Sequence, residues 1–136
     1  MRILAMASLW GVLLLLGSAE AAEGTEKPRC TGTFSSLSYH EEGGDLLGME
    51  LKIVRVRKGY QGALQIAEGG PSELMAVDVE CDGASVKFTG PDVYRVYGGG
   101  VFEGTLDSKG IKGRFRFKGE DGDLETLHRG RGYWEQ

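Results

Sequence analysis

The chain has 136 residues, with 23 Gly, three Pro and two Cys; 40% are hydrophobic and 26% charged. That size fits one compact domain, since a second independent core needs roughly 200 residues, and the apolar share excludes a disordered chain. The Gly residues follow no collagen period, no Asn is present for N-linked glycosylation, and a net charge of -4 argues against a duplex nucleic-acid partner.

Met1 and Arg2 precede an apolar run, Ile3 to Leu16, which Gly17 and Ser18 break. Ala19-Glu20-Ala21 then places small residues where a cleavage site before Ala22 needs them. This layout predicts a secretory signal peptide over residues 1–21. The run is shorter than the ~20 residues that span a bilayer. The expectation is therefore a cleaved leader rather than an uncleaved anchor, no integral membrane segment afterwards, and a secreted or periplasmic product. Residues 22–29 read as a flexible polar leader and 30–136 as the single folded domain.

Cys30 begins the first strand-like segment and Cys81 ends a later one. In an exported chain two remaining thiols most often pair. A Cys30–Cys81 disulfide would close a loop of about 50 residues, worth roughly 4 kcal/mol in the chain-entropy model. Two free buried thiols are one alternative. A redox pair is the other, and it normally has Cys-x-x-Cys spacing.

From residue 30 onward the pattern has period 2. The clearest segment is 111–118, where Ile111, Gly113, Phe115 and Phe117 share one face and Lys112, Arg114, Arg116 and Lys118 the other. That is a half-buried strand with a basic outer side. Further segments fall at 30–38, 47–57, 60–67, 73–80, 84–89, 93–106 (interrupted at Gly98-Gly99-Gly100) and 124–134. Within 47–57, Leu51 and Ile53 are out of phase with Val54 and Val56, which a β-bulge near Ile53 would reconcile. The phase of Leu74, Ala76, Val77 and Val79 stays open.

Turn signals separate the segments. Asp82-Gly83 predicts a two-residue type I′ turn. Asp107-Ser108-Lys109-Gly110 predicts a type I turn closed by Gly, and Glu120-Asp121-Gly122-Asp123 reads similarly. Lys58-Gly59 and Gly69-Gly70-Pro71 mark two more breaks. The fold class is therefore all-β: an antiparallel meander of about eight strands, as an up-and-down barrel or, alternatively, a two-sheet sandwich. Tyr60-x-Gly62-x-Leu64 echoes Phe102-x-Gly104-x-Leu106. Gly62, Gly104 and Gly113 lie inside strands, where Gly marks bends or close backbone packing that aromatic side chains can cover.

Catalytic motifs are missing: there is no nucleophile elbow, phosphate loop, dinucleotide fingerprint or zinc-type His pair. His40, beside Glu41 and Glu42 and near Ser35, Ser36 and Ser38, names a Ser-His-acid set, but strand neighbours face opposite ways. A solvated His is the plainer reading, and His128 is read as an ordinary strand residue. The acidic clusters 41–45 and 120–123 lack the EF-hand spacing that Ca²⁺ would need, so no metal and no cofactor is expected. Lys112 to Phe117 superficially matches a nucleic-acid-binding strand, yet Phe115 and Phe117 alternate away from the basic residues, which reads as core rings behind an ordinary solvated face rather than as a base-stacking surface.

The run Phe102-Glu103-Gly104-Thr105-Leu106-Asp107, followed by Gly110-Ile111-Lys112-Gly113-Arg114-Phe115, resembles a small β module of bacterial secreted proteins. That module is sometimes found ahead of serine-hydrolase domains, and Leu127-His128-Arg129 is similar to its closing strand. The likeness covers about the last third of the chain and carries over no catalytic residue. The outline is also similar to lipocalin-like barrels, although Thr31-Gly32-Thr33-Phe34 stands where a lipocalin has Gly-x-Trp.

The resulting expectation is an exported, non-enzymatic binding module, with a small secreted hydrolase or an inhibitor of a secreted enzyme as the alternative. Phe34, Phe88, Phe102, Phe115 and Phe117 are the candidates to line a ligand cavity or fill the core. Tyr94, Arg95 and Tyr97, in an exposed loop, and Arg114 and Arg116, on the basic strand face, are the candidate surface contacts. A small apolar ligand inside or an anionic surface outside are the partners this pattern suits.

Overall fold

A computed structural model of the chain describes residues 27–92 and 99–136. The expected signal peptide, most of the leader, and Tyr94, Arg95 and Tyr97 lie outside them. The strands are β1 (Gly32–Ser35), β2 (Ser38–His40), β3 (Asp45–Val56), β4 (Gly59–Gly69) and β5 (Met75–Asp82), followed by β6 (Ser85–Thr89), β7 (Val101–Leu106), β8 (Gly110–Phe117), β9 (Glu120–Asp121) and β10 (Glu125–Arg129). A short 3-10 turn, Tyr133–Glu135, ends the chain.

Strands β3 to β8 pair in chain order, β10 pairs β8, and β1 pairs both β10 and β3. Every pairing is antiparallel, so eight strands close into a barrel and the sandwich alternative falls away. The short strand β2 continues along β3, and β9 folds back on β8. Cys30 and Cys81 form the expected disulfide.

The tight turns follow φ. Gly83 has φ +62° and Ala84 does not have positive φ, so the Asp82–Ser85 hairpin turns over Gly83-Ala84 with only its first central residue left-handed. That is the type II′ pattern, not type I′. Both central residues have positive φ instead at Lys118 (+50°) and Gly119 (+82°). This turn pairs Phe117 with Glu120, so the predicted turn at 120–123 begins as strand β9. Asp107 does organise its turn: its carboxylate accepts from the Lys109 and Gly110 amides at 2.7 and 3.0 Å.

Two other expectations are corrected. The β3–β4 register runs unbroken from Leu46↔Gly69 to Val56↔Gly59, so there is no bulge at Ile53. Leu51 and Ile53 face inward at 0% and 1% exposure, while Val54 stays outside at 47%. The last predicted segment, 124–134, is strand only over 125–129, because the chain leaves the barrel at Gly130. The open phase of β5 resolves with Val77 and Val79 inward and Ala76 outward.

The interior is built from Phe34, Met49, Leu51, Ile53, Leu64, Val79, Val86, Ile111 and Leu127 around three more phenyl rings. Phe88 stacks on Phe102 at 4.8 Å, and Phe115 meets both edge-on at 5.8 and 5.2 Å. Gly104 and Gly113 face each other across β7 and β8. A Cβ on either would lie 2.9 or 2.6 Å from the Phe102 ring. A Cβ on Gly62 would lie 2.6 Å from Leu51. The glycines thus admit the rings, which cover them.

Phe117 is a correction. It is 41% exposed, because β8 has passed the rim of the barrel there and turns into β9. Its ring faces the Lys118 ammonium, 5.2 Å from the centroid, instead of the core.

A second, smaller cluster lies outside the barrel. Leu37, Leu46 and Ala67 are buried against Tyr133. The Tyr133 amide donates to Glu50 at 2.6 Å, and the Trp134 indole donates to Gln65 at 2.7 Å. The C-terminal segment therefore straps the outer face of β3 and β4. At the β1–β2 junction the Ser36 hydroxyl accepts from the Met49 amide at 3.0 Å. This kink faces Gly48, whose Cβ would lie 2.5 Å from the Ser36 carbonyl.

Candidate functional site

Antiparallel alternation assigns each connection to one end of the barrel, and the two ends collect opposite charge. One end holds segments 27–31, 55–60, 81–84 and 107–110 together with Arg129. Lys27, Arg29 and Arg129 meet Arg55, Arg57, Lys58 and Lys109 there, against Asp82 and Asp107. The other end holds 36–45, 68–75 and 117–124 together with Asp92. Glu41, Glu42, Asp45, Glu68, Glu73, Asp92, Glu120, Asp121 and Asp123 gather there against His40 and Lys118. This acidic end also carries most of the exposed large apolar side chains: Tyr39, Leu47, Leu74, Phe117 and Leu124.

The basic end is constructed around Arg129. Its guanidinium lies 4.5 Å from the Phe34 ring centroid. It donates to the Thr31 carbonyl at 3.0 Å and to the Arg29 carbonyl. Gly32 leaves the room this needs, since a Cβ there would lie 2.9 Å from the guanidinium. Burial lowers the Arg129 pKa, the adjacent Arg29 charge lowers it further, and Asp107 partly offsets both. Arg129 thus pins the segment before β1 across the barrel end, and the Cys30–Cys81 disulfide ties the same segment to β5.

Grooves flank this pinned segment. One, of about 480 Å³, is lined by Lys27, Arg29, Arg55, Tyr60 and the disulfide. A second, of about 270 Å³, shares Lys27 and Arg29 and adds Ser108 and Arg129. A third, of about 550 Å³, continues from Ser108 past Asp107, Lys109, Lys112 and His128, so that one carboxylate stands among its cations. Arg55 donates to the Tyr60 hydroxyl at 3.1 Å and covers its ring at 5.4 Å. Among the described residues, no carboxylate lies within 4.0 Å of Lys27, Arg29, Arg55, Arg57 or Lys58.

The basic strand face looks different once folded. Glu103 on β7 lies between Lys87, at 3.8 Å, and Arg116, at 3.9 Å. Arg116 also pairs with Asp121 at 2.8 Å. That hydrogen bond raises the Arg116 pKa and lowers that of Asp121. The Arg116 charge is matched within the wall, while Arg114 stands exposed opposite Glu103. The alternation of β8 was readable in sequence; its acidic neighbours on β7 and β9 were not, because register is a tertiary fact.

Ser38 and His40 do share a face, and their side chains meet at 3.1 Å. Among the described residues no carboxylate lies within 4.0 Å of His40, and all of β2 is exposed. The pair lacks both an orienting acid and a sheltered substrate site. Among the described residues no group of three or more His, Cys, Asp or Glu is placed to hold a metal ion, and no helix is long and apolar enough to cross a membrane.

These features define a closed eight-stranded antiparallel barrel with polarised ends. Comparison with protein-family models, with curated proteins and with solved structures finds no match to the chain.

Proposed function

We propose that this chain is an exported, non-enzymatic binding module that engages its partner with its outer surface. The observation that carries this reading is the filled interior. Phe34, Phe88, Phe102 and Phe115 are at most 3% exposed, and the Cβ positions of Gly62, Gly104 and Gly113 are already occupied by neighbours. A barrel of this size either fills with its own side chains or holds one small ligand, and these contacts favour the first. The signal-like terminus and the disulfide support export, since disulfides persist in oxidising compartments.

Native mass spectrometry of protein purified from its host tests the reading. The expected result is the mass of the mature chain beginning at Ala22, with no bound small molecule. A co-purifying apolar ligand overturns it. One observation favours a second reading, a small hydrolase: the Ser38–His40 contact. An ester-hydrolysis rate abolished by His40→Ala would establish that alternative.

A further inference from the structure

We propose that the basic end is a binding track for a linear polyanion, an acidic polysaccharide carrying uronate or sulfate groups. This rests on the outer-surface reading above. The chain as a whole carries a charge of -4, yet one barrel end is strongly cationic. Same-sign charges held together repel one another, and a compensating polyanion relieves that repulsion.

The shape of the site selects a linear ligand. The three grooves join end to end: Lys27 and Arg29 are common to the first two, and Ser108 is common to the second and third. Cations therefore follow one another along the rim, from Arg55 through Lys27 and Arg29 to Lys109 and Lys112, with Asp107 the one carboxylate among the residues lining the grooves. Arg is suited to carboxylate and sulfate because its planar fork donates paired hydrogen bonds. Preorganisation adds to this, because Arg129 and the disulfide hold the segment that bears Lys27 and Arg29.

Two other polyanions fit less well. A peripheral membrane site normally inserts apolar side chains, but the exposed Leu47, Leu74, Leu124 and Phe117 lie at the opposite end and Trp134 lies on the strap, leaving Val54 as the single exposed large apolar side chain beside Arg55 among the described residues. Single-stranded nucleic acid is held by stacking on open aromatic faces. The one Phe, Tyr or Trp side chain lining these grooves, Tyr60, has its ring covered by Arg55, which leaves the His128 imidazole as the single open aromatic ring.

The test is calorimetric titration of the purified protein with a size-defined heparin oligosaccharide. Neutral dextran, phosphatidylglycerol–phosphatidylcholine vesicles and an oligo-dT strand serve as comparisons. Heparin should bind in preference to all three and weaken steeply with salt. The triple variant Lys27→Ala, Arg29→Ala, Arg55→Ala should lose affinity at least about tenfold. The double variant Lys87→Ala, Arg116→Ala, whose side chains line none of the three grooves, should stay within about twofold. Circular dichroism should show both variants folded, since none of these side chains is buried. No heparin binding, tighter binding to vesicles or oligo-dT, or equal loss in the two variants would overturn the proposal. Those results leave the outer-surface reading standing, whereas a ligand found inside the barrel removes that reading itself.

Discussion

The two ends of the barrel solve different problems. At the basic end the strands turn over within two or three residues, at 57–58, 83–84 and 107–109. A disulfide and the Arg129 guanidinium then clamp a further segment across it. At the acidic end the chain wanders: β2, the 70–74 connection and the β9 hairpin all extend beyond the wall. Exposed Leu and aromatic side chains collect there. Rigidity and positive charge therefore coincide, as do length and negative charge. Placement of cations on short, fixed turns is what a preorganised electrostatic surface requires.

The sharpest way to break this contrast is Gly110→Ala. A Cβ there would lie 2.0 Å from the Leu127 carbonyl oxygen, and backbone cannot move aside as a side chain can. We expect a loss of about 3–5 kcal/mol in urea unfolding, or failure to fold. The Cys30→Ala, Cys81→Ala double variant should lose about 4 kcal/mol by the chain-entropy model and expose the 27–31 segment to proteolysis. If that segment stays protected, Arg129 alone suffices as the clamp. Arg129→Ala should cost about 1–2 kcal/mol and speed hydrogen exchange at Thr31 while leaving β9 unchanged.

At the other end, Leu74→Ser and Leu124→Ser should each change stability by no more than about 0.5 kcal/mol. A larger loss would mean that the acidic end is packed more firmly than its exposure indicates. The smallest effect concerns pH. Two backbone amides, Lys109 first and Gly110 second, hold the Asp107 carboxyl below the usual carboxylate range. Its contribution is present above the ordinary Asp value of about 4 and disappears as pH falls through the lower folded value. Asp107→Asn should flatten that acid limb slightly in thermal melts taken across the acidic range.

Much of the barrel was legible because alternation is local. Ile111, Gly113 and Phe115 read as inward, and the structure has them buried. The same pattern overran at Phe117, since alternation carries no information about where the rim falls. Val54 suggested a bulge only because a β-branched residue was expected to be buried; on the wall it is simply solvated. The Lys118-Gly119 turn was missed because Lys seldom takes positive φ, and Glu120–Asp123 offered a more conventional turn composition. The polarised ends were invisible for another reason. Lys27, Arg55 and Lys109 are far apart in sequence, and only antiparallel topology brings their segments to one rim.

The seam between β1 and β10 has a consequence in time. Phe34 and Ser35 pair with Arg129 and His128, so the earliest strand of the barrel waits for the last one made. Until β10 exists, β1 and β8 each present an unpaired edge, the kind of surface on which β chains stick to one another. Non-local pairing of this sort is also slow to form. A chain that closes only after its final strand has emerged is most vulnerable to aggregation in the interval just before the seam joins.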